Sequence, residues 1–184
     1  MTNVDRRRLL LAAAASAVVA ACGSPGSANP TPTKSSSTIT PAGPAAAKAT
    51  VELTKGGSFS FRLRPDKAPQ TVARFAQKAK SGFYQGLTFH RVEDWVVQGG
   101  DPTGSGGGGN QVPSEYNDLP FVVGAVGIAR SNNPAQMNDS QFFIVKTAAP
   151  HLDKQYANFG LVTAGMDVVN AIRIGDRIKS VTIE

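Results

Sequence analysis

The side chains best suited to chemistry in this chain are polar residues set among strand-like apolar ones: Arg91 in FHRV at 89–92, Gln98 in VVQGGD at 96–101 and Gln141 in SQFF at 140–143. Burying an arginine or a glutamine is unfavourable unless its donors find partners. Three of them in a small domain therefore need a reason. Either they pair with one another and with backbone carbonyls, which is structural, or their donors are held ready for a ligand. Other chemistries are poorly supplied. There is no G-x-S-x-G turn and no H-E-x-x-H pair, and the only histidines are His90 and His151. The single cysteine, Cys22, stands far from the other candidates and excludes an intrachain disulfide or a cysteine metal cluster. The run Gly104 to Gly109 lacks the Lys-Ser or Lys-Thr and the following helix of a phosphate loop, and is expected to be a pliable surface loop. No metal and no cofactor is expected.

The elements that must carry these residues begin near Ala49. Thr50 to Leu53 and Ser58 to Leu63 alternate apolar with polar residues around Lys55-Gly56-Gly57, which predicts a hairpin. Pro69 suits the first turn of a helix, and Val72, Phe75, Ala76 and Ala79 share a face before a stop at Gly82. Short apolar runs follow at 87–92, 95–98, 125–129, 142–145, 159–162 and 181–183, with one further helical pattern from Met166 to Ile172. Many short strands with two helices predict a mainly β, closed antiparallel barrel with helices over its ends. Phe89, Phe142 and Phe159 are expected in its core, and His90 is expected to satisfy nearby backbone.

The front of the chain has a different composition. Arg6, Arg7 and Arg8 precede an apolar run from Leu9 to Ala21 that ends in Val-Ala-Ala before Cys22. That order is basic region, hydrophobic region and cut site, and the run is short of the ~20 residues needed to span a bilayer. Residues 1–21 are thus expected to be a signal peptide. Cys22 in that context resembles a bacterial lipobox, which implies lipidation and attachment to the membrane by acyl chains. The three arginines also resemble a twin-arginine signal, and the export route stays open. Residues 22–48, rich in Ser, Thr, Pro, Ala and Gly with Ile39 as the one larger aliphatic, are expected to form a disordered tether. The domain, 49–184, would then face outward from a bacterial cell membrane. A net charge of +6 with Lys and Arg scattered argues little for nucleic acid, and no nucleic-acid partner is expected.

FHRV at 89–92, QGGDPTG at 98–104, GAVGIAR at 124–130, SQFFI at 140–144, HLD at 151–153 and FGLV at 159–162 together resemble the cyclophilins, in the same order and at nearly the same spacing. The resemblance implies a closed eight-stranded antiparallel barrel capped by two helices, and a peptidyl-prolyl cis/trans isomerase acting on X-Pro bonds of exported proteins. It implies Arg91, Gln98 and Gln141 as the catalytic set, with Gln98 and Gln141 orienting Arg91 and the peptide. Phe143, Leu152 and Val96 would form the proline pocket, and Trp95, Gly106, Ala129, Arg130, His151 and Tyr156 would complete the peptide site. Trp95 and Val96 stand where well-known eukaryotic members carry phenylalanine and methionine, and Arg130 replaces a common asparagine. His151 stands where cyclosporin-sensitive members carry tryptophan, and Tyr156 where they carry histidine, which implies weak cyclosporin binding. The expected partners are proline-containing peptides and exported client proteins, and the expected state is a monomer. A rival reading is a binding module that grips a proline segment of one partner without turning it.

Overall fold

The structure, a computed structural model, describes residues 47–184. The signal segment, Cys22 and nearly all of the tether lie outside the described residues. The hairpin forms from β1 (Lys48–Leu53) and β2 (Ser58–Leu63), in a register that pairs Val51 with Phe59. Apolar residues at every second position bury one face, as a strand's period of two requires. Helix α1 (Pro69–Lys80) buries Val72, Phe75 and Ala79, and Ser81 closes it. Its own N-cap, Ala68, offers no side-chain acceptor. Glu115 does so from a distant loop, its carboxylate accepting from the backbone N–H groups of Gln70 and Thr71 at 3.1 and 2.8 Å and from the Thr71 hydroxyl. A carboxylate there meets both the unpaired N–H groups and the positive end of the helix dipole.

Strands β3 (Phe89–Val92), β4 (Val96–Gly99), β5 (Gln111–Pro113), β6 (Ala125–Arg130) and β7 (Gln136–Val145) follow. A single 3-10 turn at Pro150–Leu152 leads to β8 (Asn158–Ala164), the short helix α2 (Met166–Asn170) and β9 (Ile178–Ile183). All pairings are antiparallel, in the order β3-β4-β7-β6-β8-β2-β1-β9, with β5 attached to β7. The sheet curls strongly, and this corrects the expected closed eight-stranded barrel. It has nine strands, and its two ends, β3 and β9, share no strand ladder. Near the seam stand the lone bridge Thr88↔Arg177 and a few backbone hydrogen bonds such as Phe89 N–H to the Asp176 carbonyl. The architecture is mainly β with an open, curled sheet and two helices. Strand β5 was not legible in advance because its three residues are polar or half-exposed and end in proline.

Inside the curl, Phe61, Phe75, Tyr84, Phe142 and Phe159 form a connected set of rings with centroids 5.1–6.2 Å apart. Phe89 joins through Phe142, and Val97, Val126 and Ile144 complete the layer. Residues one position along the same strands, Val96, Phe143 and Val145, belong to a second apolar cluster with Phe121, Ala125, Ala149 and Leu152. One strand set thus serves a core on its concave side and a separate cluster on its outer side.

Candidate functional site

The outer cluster is where the polar residues collect. Arg91 pairs with Gln98 across β3 and β4, Gln98 with Phe143 across β4 and β7, and Phe143 with Gly127 across β7 and β6. Directly paired residues share a face, so Arg91, Gln98 and Phe143 form one row. The row ends on Gly127, where an added Cβ would lie 2.3 Å from the Phe143 ring and 2.8 Å from Phe121. Glycine is required there because the outer edge of the Phe143 ring and the Phe121 ring occupy the space a Cβ would take. The neighbouring row, Val97, Ile144 and Val126, points into the core.

Two register shifts widen the row into a groove. One falls between Phe89 and Arg91, the other between Ile128 and Arg130. A bulge breaks the strict alternation of a strand and re-aims side chains. His90 and Arg91 accordingly both line the groove, as do Ala129 and Arg130. The groove encloses about 440 Å³. Val96, Phe143 and Leu152 form an apolar floor, Trp95 and Arg91 one wall, Tyr156, Ala129 and Arg130 the opposite wall, and Gln98, Gly106, Ser105 and His90 the remainder. Behind the floor, Phe121 stacks on Phe143 at 5.5 Å, while Tyr156 meets Phe143 edge-on at 5.6 Å. Phe121 follows Pro120 in a loop with no periodic pattern, so nothing in the sequence singled it out.

Two expected site residues stand off the groove. Gln141 is 2% exposed and sits behind the groove wall, where it accepts from Gln98 Nε2 at 3.0 Å and donates to the carbonyls of Gly106 and Gly108 at 3.1 and 2.7 Å. It therefore bonds Gln98 and the glycine loop and makes no hydrogen bond to Arg91. His151 is exposed and packs its ring against Trp95 at 5.4 Å. Arg91 is held instead by a residue that was not singled out. Glu93 accepts from Arg91 Nε at 2.6 Å and from the Trp95 indole N–H at 2.8 Å, with the guanidinium 5.3 Å from the indole ring. The hydrogen bond from Arg91, together with its positive charge, keeps the Glu93 carboxyl below the usual range. The available signal was the spacing, with Glu93 two residues from each partner.

The glycine run is strapped rather than pliable. The buried Asp101 carboxylate accepts from the Thr103 N–H, the Thr103 hydroxyl and the Gly106 N–H, and Asn138 Nδ2 donates to the Gly108 carbonyl. At Gly108 an added Cβ would fall 2.1 Å from Asp101 Oδ1, so the loop lies directly on its anchor. Burial pushes the Asp101 pKa up, but the hydrogen bonds from the Thr103 and Gly106 N–H groups and the Thr103 hydroxyl, with the influence of His90, together bring it below the ordinary value. His90 also departs from expectation. Neither ring nitrogen has a hydrogen-bond partner, and its pKa is lowered by burial and by Arg91 against the opposing charge of Asp101. It lines the groove and is not a satisfier of backbone. Among the described residues no group of three or more His, Cys, Asp or Glu is placed to hold a metal ion.

A groove with an apolar floor and a row of N–H donors beside it can hold an apolar ring and present a cation to the chain that carries it. The family profile described as cyclophilin type peptidyl-prolyl cis-trans isomerase matches residues 49–184. The chain belongs to the cyclophilin-type isomerase family. A peptidyl-prolyl cis-trans isomerase of Synechococcus elongatus is 41% identical over 135 residues, which is 71% of this chain and 92% of the relative. Peptidyl-prolyl cis-trans isomerase B of Bacillus subtilis is 40% identical, over 72% of this chain and 94% of the relative. Among solved structures, a cyclophilin-type isomerase of Cryptosporidium parvum shares the fold with a TM-score of 0.70 at 24% identity, covering 76% of this chain and 98% of that one. A second crystal structure of that cyclophilin, in the presence of the dipeptide Ala-Pro, superposes with a TM-score of 0.68 at 26% identity, over 74% of this chain and 98% of that one.

Proposed function

We propose that this cyclophilin is a peptidyl-prolyl cis/trans isomerase whose proline pocket is the floor of Val96, Phe143 and Leu152 and whose catalytic donor is Arg91. The observation that carries the reading is the single row Arg91, Gln98, Phe143, which sets a cation beside an apolar ring site. An X-Pro amide resists rotation by ~18–20 kcal/mol because the nitrogen lone pair is shared with the carbonyl. At the twisted geometry that sharing is lost and the nitrogen becomes a hydrogen-bond acceptor. A donor aimed at it favours the twisted form over both planar ones, and that difference is catalysis. Arg91 is suited to this because it stays charged and presents a rigid fork. Glu93 occupies its Nε and leaves the terminal amino groups for the substrate. Gln98, backed by Gln141 and the Gly106 and Gly108 carbonyls, offers the peptide a pre-set amide. Isomerisation transfers no proton, so His90 has no acid–base part in it.

The same reading extends to place and partners. The signal-like start with Cys22 supports a lipid-anchored, exported protein that works on proline-containing clients outside the cytoplasm. His151 in place of an indole supports weak cyclosporin binding. Two measurements test this. NMR exchange at an Ala-Pro bond should be strongly accelerated by the purified protein, with kcat/KM falling on the order of 10²-fold in Arg91→Ala; no acceleration by folded protein leaves the binding-module reading. In cells, the protein should fractionate with membranes and the Cys22→Ser variant should not; equal distribution of the two removes the lipid anchor.

A further inference from the structure

Two arginines line the groove, Arg91 from β3 and Arg130 from β6, and they are not equivalent. Arg91 is engaged by Glu93. Arg130 has no acidic partner: none of the ion pairs among the described residues includes it, and its buried Nε makes no hydrogen bond. The guanidinium lies over the Tyr156 ring at 4.8 Å, and Tyr156 in turn abuts Phe143 at 5.6 Å. A guanidinium stacked on a ring keeps its N–H groups in its own plane, where they are available to a carboxylate. Two carboxylates beside groove residues are already occupied, while the exposed Asp94 next to Trp95 forms none of the ion pairs among the described residues. Asp101 holds the glycine loop, and Asp153 accepts the Phe121 N–H at 2.8 Å.

We propose that Arg130 makes this groove prefer proline segments bearing a carboxylate side chain one or two residues before the proline or one residue after it. The inference rests on the isomerase reading, which sets the proline ring against Phe143. From there Arg130 is one aromatic ring away. Consecutive Cα atoms are ~3.8 Å apart, so a glutamate one or two residues from the proline can span that distance. A lysine at the same place would meet an unneutralised like charge.

The test uses the full chain and three pairs of short Ala-Pro-type peptides. Each pair carries Glu or Lys at one position: two before, one before or one after the proline. A neutral peptide serves as reference, and exchange is followed by NMR at low salt. At one position at least, the Glu peptide should be turned over about two- to fivefold more efficiently than its Lys counterpart. That ratio should approach one in 0.5 M salt and in Arg130→Gln, and invert in Arg130→Glu. Equal kcat/KM within all three pairs overturns the proposal. So does a preference that persists in Arg130→Gln, since it would then come from the net positive charge of the chain. Failure with the neutral peptide would count against the isomerase reading instead, and the Glu-to-Lys ratio of dissociation constants, from NMR shift titration, would still decide the charge preference.

Discussion

Arg91 is 44% exposed at its side chain, and an exposed arginine is not aimed anywhere unless something holds it. Glu93 does so, and it ties the same carboxylate to Trp95, so one residue sets both a donor and a wall of the groove. Glu93→Ala should lower kcat/KM for an Ala-Pro peptide by about two- to fivefold, as expected for an exposed ion pair, and Glu93→Gln should lose less because its amide oxygen still accepts. Trp95 is the chain's single tryptophan, so intrinsic fluorescence reads its surroundings directly. Its emission should shift in Glu93→Ala and shift less in Glu93→Gln, whose single amide oxygen replaces the two carboxylate oxygens that accept from Arg91 and Trp95. Unchanged emission and unchanged kinetics in both variants would show that Arg91 is positioned by other contacts.

The strand is the scale at which the groove is built. Alternation sends Phe142 into the core and Phe143 outward, and the two bulges let His90 with Arg91, and Ala129 with Arg130, break that alternation toward one opening. Alternating strands are visible in a sequence, and so the hairpin, α1 and most later strands were legible. Bulges are not, because the extra residue is defined by which partner it fails to face. Gly127 shows the same limit. It sits in the run GAVGIAR as one glycine of two, and only the ladder reveals that Phe143 crosses it. Gly127→Ala should destabilise the domain by roughly 1–3 kcal/mol through overpacking and weaken peptide binding by tilting Phe143. Thermal unfolding together with a peptide titration checks this; wild-type values for both would mean that the ring gives way freely.

For the molecule as a whole, the acidic groups are a shared anchor. Asp101, Asp139 and Asp176 would each be raised by burial. Hydrogen bonds outweigh it in each, from Thr103 and Gly106, from Asn110 with Lys78, and from Lys55 with the Arg173 N–H, and the native pKa values are lowered. The unfolded carboxyls, near ~3.9, then take up protons first as pH falls. The stability these groups contribute is present above that value and is lost progressively from about pH 5 downward through the lowered native values. The melting temperature should fall over that range, with a shallower fall in Asp101→Asn; a flat profile between pH 6 and 3 would show that these contacts contribute nothing. The amino-acid sequence by itself determined the mainly β class of fold, its hairpin and its helices, which are written in local periodicity, and the ordered short motifs, whose resemblance to the cyclophilins implied the residues around the apolar floor. Tertiary structure alone decided that Glu93 holds Arg91, that Gln141 stands one layer behind the groove, that Phe121 supports Phe143, that the glycine loop is strapped by Asp101, and that the sheet stays open at the β3–β9 seam. Those facts depend on strand register and on contacts between residues far apart in the chain, and no local pattern specifies either.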